Sequence, residues 1–412
     1  MKRKPLTAAA AALLAFGLAI GAVAATAQPA PATTSPAASV EIPKVIPGFD
    51  PTAMDTSANP CDNFYQFACG NYAKLHPIPA DMPEYDQFVA LYEYNTAILH
   101  QLVLKAANAG PKRSANEQKI GDYYQACMDT SAINSHGVKP LEPLLDRIDR
   151  LKNKKALPGL IAYLNRQDVD VFVNFGAQQD FKDASKEIAV IDQGGLGLPN
   201  RGYYLRTDPR SVKLRQQYQQ HIANVLHLLG DPLAKAQTEA QNIMSFETEL
   251  AKASMDIVER RDPKKTYHME TIKAFAPTVP VLNLPVYLRD IGSPRVSSLN
   301  VAVPAFFSGL NKAIDDTPLS TLKNYMRFHV ADSYSMDLPS QFDQESFAFY
   351  GRDLTGTPQQ QPRWKRCVNA TNRSLGDAVG QMYVAKYFTP SQKKAGTATL
   401  SESTLGEPMS RR

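Results

Sequence analysis

The sequence predicts a mostly α-helical fold with one small β-hairpin set into it. Three observations carry this. Apolar residues recur at helical spacing over long runs, residues 84–107 and 363–388 among them. Apolar residues at alternate positions mark one region, Val169, Val171, Val173 and Phe175 with Asp170 and Asn174 between them, followed by Ile188 and Val190. A hydrophobic content of 43% and a charged content of 21% are those of a globular protein, and 412 residues suffice for one large domain or two ordinary ones.

Taken in order, Lys2, Arg3 and Lys4 precede an alanine-rich apolar run at 8–24 and a small-residue site at Ala25-Thr26-Ala27. Residues 1–27 read as a signal peptide, with an uncleaved anchor as the rival. The expected location is periplasmic or extracellular, tethered if the signal stays uncleaved. Residues 28–41, rich in Pro, Ala, Ser and Thr, read as a disordered linker. The folded part is placed at 42–389. Its first helix opens at Pro60 behind Asn59 as N-cap, with Asp62 near the positive end, and stops at His76-Pro77 and Pro79.

A long amphipathic helix follows at 84–107, with Phe88, Leu91, Tyr92, Ile98, Leu99, Leu102 and Val103 near helical spacing. Helices at 116–128 and 137–151 come next, then the hairpin, then the glycine-rich loop at 194–199. Further helices are expected at 209–230, 234–258, 319–335, 339–350 and 363–388, with short extended pieces at 282–302. Residues 390–412 lack apolar periodicity and read as a disordered tail.

Several function classes fall away. A net charge of +5 with no long basic run gives no nucleic-acid footprint. No stretch after the signal approaches the roughly 20 apolar residues of a stable membrane span. None of the seven histidines, at 76, 100, 136, 221, 227, 268 and 329, is followed by Glu, and no two are four apart, so His-Glu-x-x-His is absent. Each reads as a surface or internally bonded histidine. His221 and His227, six apart, diverge around a helix.

The glycines at 194, 195 and 197 follow a strand, but Asn200 and Pro199 break the dinucleotide fingerprint, leaving a tight turn that needs positive φ. There is no Gly-x-Ser-x-Gly. Glu247 and Glu249 read as a solvated helix face. No catalytic residue and no metal ligand is assigned.

Cys61 and Cys69 lie eight residues apart. On one helix that is roughly 12 Å of rise, too far for a bridge between them. Cys127 and Cys367 are either a bridge or two buried thiols, and export favours the bridge.

Six segments in order, beginning with Pro-Cys-x-x-Phe-Tyr-x-Phe-Ala-Cys-Gly at 60–70, resemble the neprilysin and endothelin-converting-enzyme family of zinc metallopeptidases. The others are YYQACMDT at 123–130, DQGGLGLPNRGYYL at 192–205, RDPKKTY at 261–267, FYGRDLTG at 349–356, and PRWKRCVNATNRSLGDAVGQMYVAKYF at 362–388. The resemblance covers the family's N-terminal portion. It implies the large helical lobe, without the zinc, of a two-lobed endopeptidase whose zinc motif lies in the later part. Zinc belongs to the intact family and none is expected on this chain.

The resemblance also implies a bridge between Cys127 and Cys367, and partners for Cys61 and Cys69 in the C-terminal catalytic half. Gly194, Gly195, Gly197 and Arg201 are candidate cavity-lining residues, and the expected ligands are peptide substrates. Two arginine positions that grip a substrate's terminal carboxylate in neprilysin are Glu84 and Tyr92 here, so a general endopeptidase lobe is implied. The chain is expected to be truncated before the zinc motif, by frameshift or a shortened gene, and inactive alone. The alternative is a non-enzymatic periplasmic peptide-binding or assembly module.

Overall fold

The computed structural model describes residues 50–404; the signal-peptide and linker readings fall outside them. Helices named below are α1 (Phe64–Cys69), α2 (Gln87–Asn108), α3 (Ala115–Met128), α4 (Pro209–Leu228), α5 (Leu233–Ala253), α6 (Pro304–Asp316), α7 (Leu319–Ser333), α8 (Arg363–Ser374), α9 (Gly376–Tyr387) and α10 (Pro390–Thr404). No helix among the described residues is long and apolar enough to cross a membrane.

The helices build two cores. The larger is centred on α5, which packs against α4, α6 and α7 and buries Ile243, Phe246 and Leu250 against residues such as Tyr218, Tyr325 and Phe306. The smaller joins α2 and α3 to α8 and α9 through Val103, Ile120, Tyr124, Val368 and Val379. Cys127 of α3 and Cys367 of α8 are disulfide-bonded inside it, with an S–S distance of 2.05 Å across 240 residues of sequence. His100 of α2 stacks on Trp364 at 4.4 Å in the same core.

The expected hairpin forms as β1 (Val173–Gln179) and β2 (Glu187–Gln193), paired antiparallel with Val173 opposite Gln193. It belongs to a larger sheet than alternation revealed, in the order β1-β2-β4-β3, where β3 is Met269–Thr271 and β4 is Ser298–Val301. β4 runs parallel to β2. Strands of three and four residues are too short to display a period.

Several helices differ from expectation. The first begins at Phe64, capped by Asn63, whose Oδ1 accepts from the Gln66 amide. Asn59 instead closes a turn onto the Cys61 amide, so Cys61 and Cys69, both exposed and free, do not share a helix. In α2 the apolar residues of the first turns face solvent, Phe88 being 83% exposed, and burial starts at Thr96. The run at 363–388 is broken at Leu375 into α8 and α9.

Of the stretch expected to be a disordered tail, 390–412, the first part forms α10 and residues 405–412 lie outside the described residues. Thr389 and Gln392 cap it reciprocally: the Thr389 amide donates to Gln392 Oε1 at 2.8 Å and the Gln392 amide to Thr389 Oγ1 at 3.3 Å. A capped, Ala- and Lys-containing segment can be helical without a buried face, and residues 391–398 are all exposed.

Candidate functional site

β2 delivers the chain into the loop at 194–199, which walls a cavity of about 320 Å³ together with Asp170, Asn174, Ser254, Arg260, Tyr350 and Leu354. The glycines are dictated by close approach. Gly195 has φ +78°, and a Cβ there would lie 2.4 Å from both the Phe172 nitrogen and Tyr325 Oη. A Cβ on Gly197 would lie 1.8 Å from Tyr218 Oη. Gly194, Gly195 and Gly197 therefore meet at the cavity wall. Arg201 is not among the lining residues; its Nε donates to the Ala251 carbonyl at the end of α5.

Polar groups buried behind the loop hold it in shape. Tyr325 Oη accepts from the Phe172 amide at 3.2 Å and donates to the Gly195 carbonyl at 2.8 Å. Asp170 accepts from the Gly195 amide, and burial pushes its carboxyl above the ordinary value. Glu247, 0% exposed, accepts from Tyr204 Oη at 2.6 Å and Tyr218 Oη at 3.0 Å, and faces His329 Nε2 at 2.9 Å. Tyr204 Oη in turn accepts from the Leu198 amide. Burial first, and the Glu247 charge second, raise both phenols well above the usual range, so they stay protonated and donate.

Glu247 thus corrects the reading of a solvated acidic face; only Glu249 is exposed, paired with Lys252. Its position was detectable. It lies four residues after Ile243 and three before Leu250, on the apolar stripe of α5, where a carboxylate must find internal donors.

On the cavity rim Arg260 makes a bidentate pair with Asp192, at 2.9 and 2.7 Å. Tyr350 donates to Asp332 at 2.7 Å. Asp332 also meets His221 Nε2 at 3.0 Å, while Glu345 meets His221 Nδ1 at 3.1 Å. Burial is the largest single influence on His221 and opposes its charge. Hydrogen bonds and attraction from Asp332 and Glu345 outweigh it and raise the imidazole to about 9.

A move from the ordinary 6.5 to about 9 is worth roughly 3 kcal/mol. The sign is that of a group raised on folding, so the stabilisation is whole below about pH 6.5 and fades as pH climbs through about 9. The melting-temperature gap between wild type and His221→Gln should be widest at about pH 5–6.5 and narrow toward about pH 10. A gap that widens with pH would contradict the pairing.

The histidines are otherwise engaged locally. His227 Nδ1 faces the Asp231 carbonyl, His268 Nδ1 the Val301 carbonyl, and His100 Nε2 the Tyr124 hydroxyl. Among the described residues no group of three His, Cys, Asp or Glu side chains could hold a metal ion. The donor set here does not fit a catalytic zinc.

The family model described as Peptidase family M13 matches residues 60–402. The chain belongs to peptidase family M13. This M13 chain is 29% identical to endothelin-converting enzyme 1 of Homo sapiens over 372 residues, 85% of the chain and 46% of that protein. It is 28% identical to an endothelin-converting enzyme homolog of Locusta migratoria, again over 85% of the chain and 50% of the relative.

The Mycobacterium tuberculosis zinc metalloprotease Zmp1, solved in complex with an inhibitor, superposes with a TM-score of 0.79 at 28% identity, covering 86% of the M13 chain and 54% of Zmp1. PepO of Lactobacillus shares the fold at a TM-score of 0.69 and 18% identity. The M13 chain spans about half the length of the relatives it matches. The family match also runs into α10, past the boundary set at residue 389 from sequence.

Proposed function

We propose that this chain is the non-zinc lobe of a neprilysin-like zinc metalloendopeptidase, shaping and covering a peptide-binding cavity whose zinc site lies on sequence that the chain does not contain. The observation that carries this is the family match across residues 60–402 in a chain without His-Glu-x-x-His and, among its described residues, without a metal-holding cluster. Zinc in such an enzyme supplies the polarised water that attacks the peptide bond. What this lobe contributes is a rigid wall: the glycine loop at 194–197, braced from behind by Tyr325, Tyr218 and Glu247.

The same reading gives Cys61 and Cys69 disulfide partners in the catalytic half. It places the protein outside the cytoplasm, consistent with the buried Cys127–Cys367 bond, since such bonds persist in oxidising compartments.

The test is to mix the purified chain with a separately expressed half bearing His-Glu-x-x-His. Alone, the chain is expected to retain no zinc through gel filtration and to leave a quenched peptide intact. Together, the halves should give chelator-sensitive cleavage. Stoichiometric zinc and cleavage by the chain alone would overturn the proposal.

A further inference from the structure

A second concavity, of about 610 Å³, opens between the start of α4 and the stretch Phe347–Thr355, and it is lined by Arg206, Arg210, Lys213 and Arg352. Only two carboxylates, Asp208 and Asp353, share that lining. Among the described residues, none of the four cations makes a salt bridge. All four are exposed, so their charges are open to an anion that enters the concavity. Asp208 caps α4, its carboxylate accepting from the Ser211 amide and hydroxyl, and with both carboxylates charged the lining still carries four cations against two anions. That capping also means the helix end is not itself the site; the side-chain cations are.

The opposite wall has unusual backbone. Phe347–Thr355 is a nine-residue π-helix, a conformation that is rare, usually confined to a single turn, and concentrated at functional sites. It places Arg352 and Asp353 on this cavity and Tyr350 on the glycine-loop cavity, and Leu354 lines both. Tyr203 and Gln217 add polar groups to the lining.

We infer that this cavity binds closely spaced carboxylates, as carried by an acidic segment of a peptide that also contacts the glycine-loop cavity. Three arginine forks and a lysine within one concavity suit paired anionic oxygens. The shared Leu354 places them next to the wall assigned to peptide. The inference rests on the peptide-handling reading above but is measured by binding alone. Loss of acidic-peptide binding with two-half cleavage intact would count against this site only; binding retained with cleavage absent would count against that reading only.

The experiment is fluorescence anisotropy of the full chain with a labelled peptide centred on three glutamates and with its glutamine counterpart. The acidic peptide should bind and weaken with salt, and the glutamine peptide should not bind. Arg210→Glu combined with Lys213→Glu, and separately Arg352→Gln from the other wall, should each weaken binding by about tenfold or more. All three residues are exposed, and thermal melts would establish that the variants fold. Lys119→Glu with Lys152→Glu, exposed and remote in sequence, should leave binding unchanged. Equal loss in that control, no binding by wild type, or binding of tripolyphosphate without the acidic peptide would each overturn the assignment.

Discussion

Glu247→Ala is expected to destabilise the protein by about 3–5 kcal/mol, the cost typical of removing one partner from a buried charged cluster. The carboxylate is wholly buried and receives two tyrosine hydroxyls, with His329 Nε2 at 2.9 Å. Truncation leaves Tyr204 Oη, Tyr218 Oη and His329 facing a void, and each orphaned polar group costs about 1–3 kcal/mol. Two further bonds depend on the arrangement, because Tyr204 Oη also accepts from the Leu198 amide and Glu247 Oε2 accepts from the Gly197 amide at 3.5 Å.

The lesion should therefore reach the glycine loop. Urea unfolding should show a lower midpoint at an unchanged slope, and hydrogen exchange should show faster exchange at the Gly197 and Leu198 amides. Glu247→Gln keeps the volume and one acceptor, so it should fall between. An alanine variant within about 1 kcal/mol of wild type would mean the cluster is not the loop's support.

The same residue shows what could be read from sequence and what could not. Period alone placed most long helices, because α4, α5 and α7 each carry a continuous apolar stripe into one core, whereas α6 was not expected from the sequence. Period puts Glu247 on the apolar stripe of α5, but carboxylates seldom lie on a buried face, and the donors that make this one tolerable come from Tyr204, Tyr218 and His329, up to 82 residues away. The opening helix was misplaced because Asn59 and Asn63 are both competent caps, and the choice rests on contacts such as Gln66 Nε2 to Asp55.

The π-helical stretch has no sequence period that distinguishes it from α5 or α7. The helix after Pro390 could have been found: Thr389 and Gln392 stand at capping-box spacing, a signal independent of the apolar stripe that was sought and missing. The ordered family segments carried more than any period did, since they fixed the architecture across both cores.

The Cys127→Ser, Cys367→Ser double variant should lose about 5–6 kcal/mol in the chain-entropy account, because the bond closes a loop of 240 residues. The loss should be uneven. The bond lies in the smaller core, whose α2 and α3 come from before the large core in sequence and whose α8 and α9 come from after it. Without the bond, that core is held by side-chain packing between two chain ends that would otherwise diffuse apart, whereas α4 to α7 keep their own buried contacts.

The chain has a single tryptophan, Trp364, and it sits in the smaller core stacked on His100. Its emission therefore reports one core, while far-ultraviolet dichroism is dominated by the helices of both. In the oxidised protein the two signals should change together with denaturant. In the double variant the tryptophan transition should come first, exposing a partly unfolded state in which the large core persists. Coincident transitions in both proteins would mean that the two cores unfold as one unit and that the disulfide stabilises the chain without dividing it.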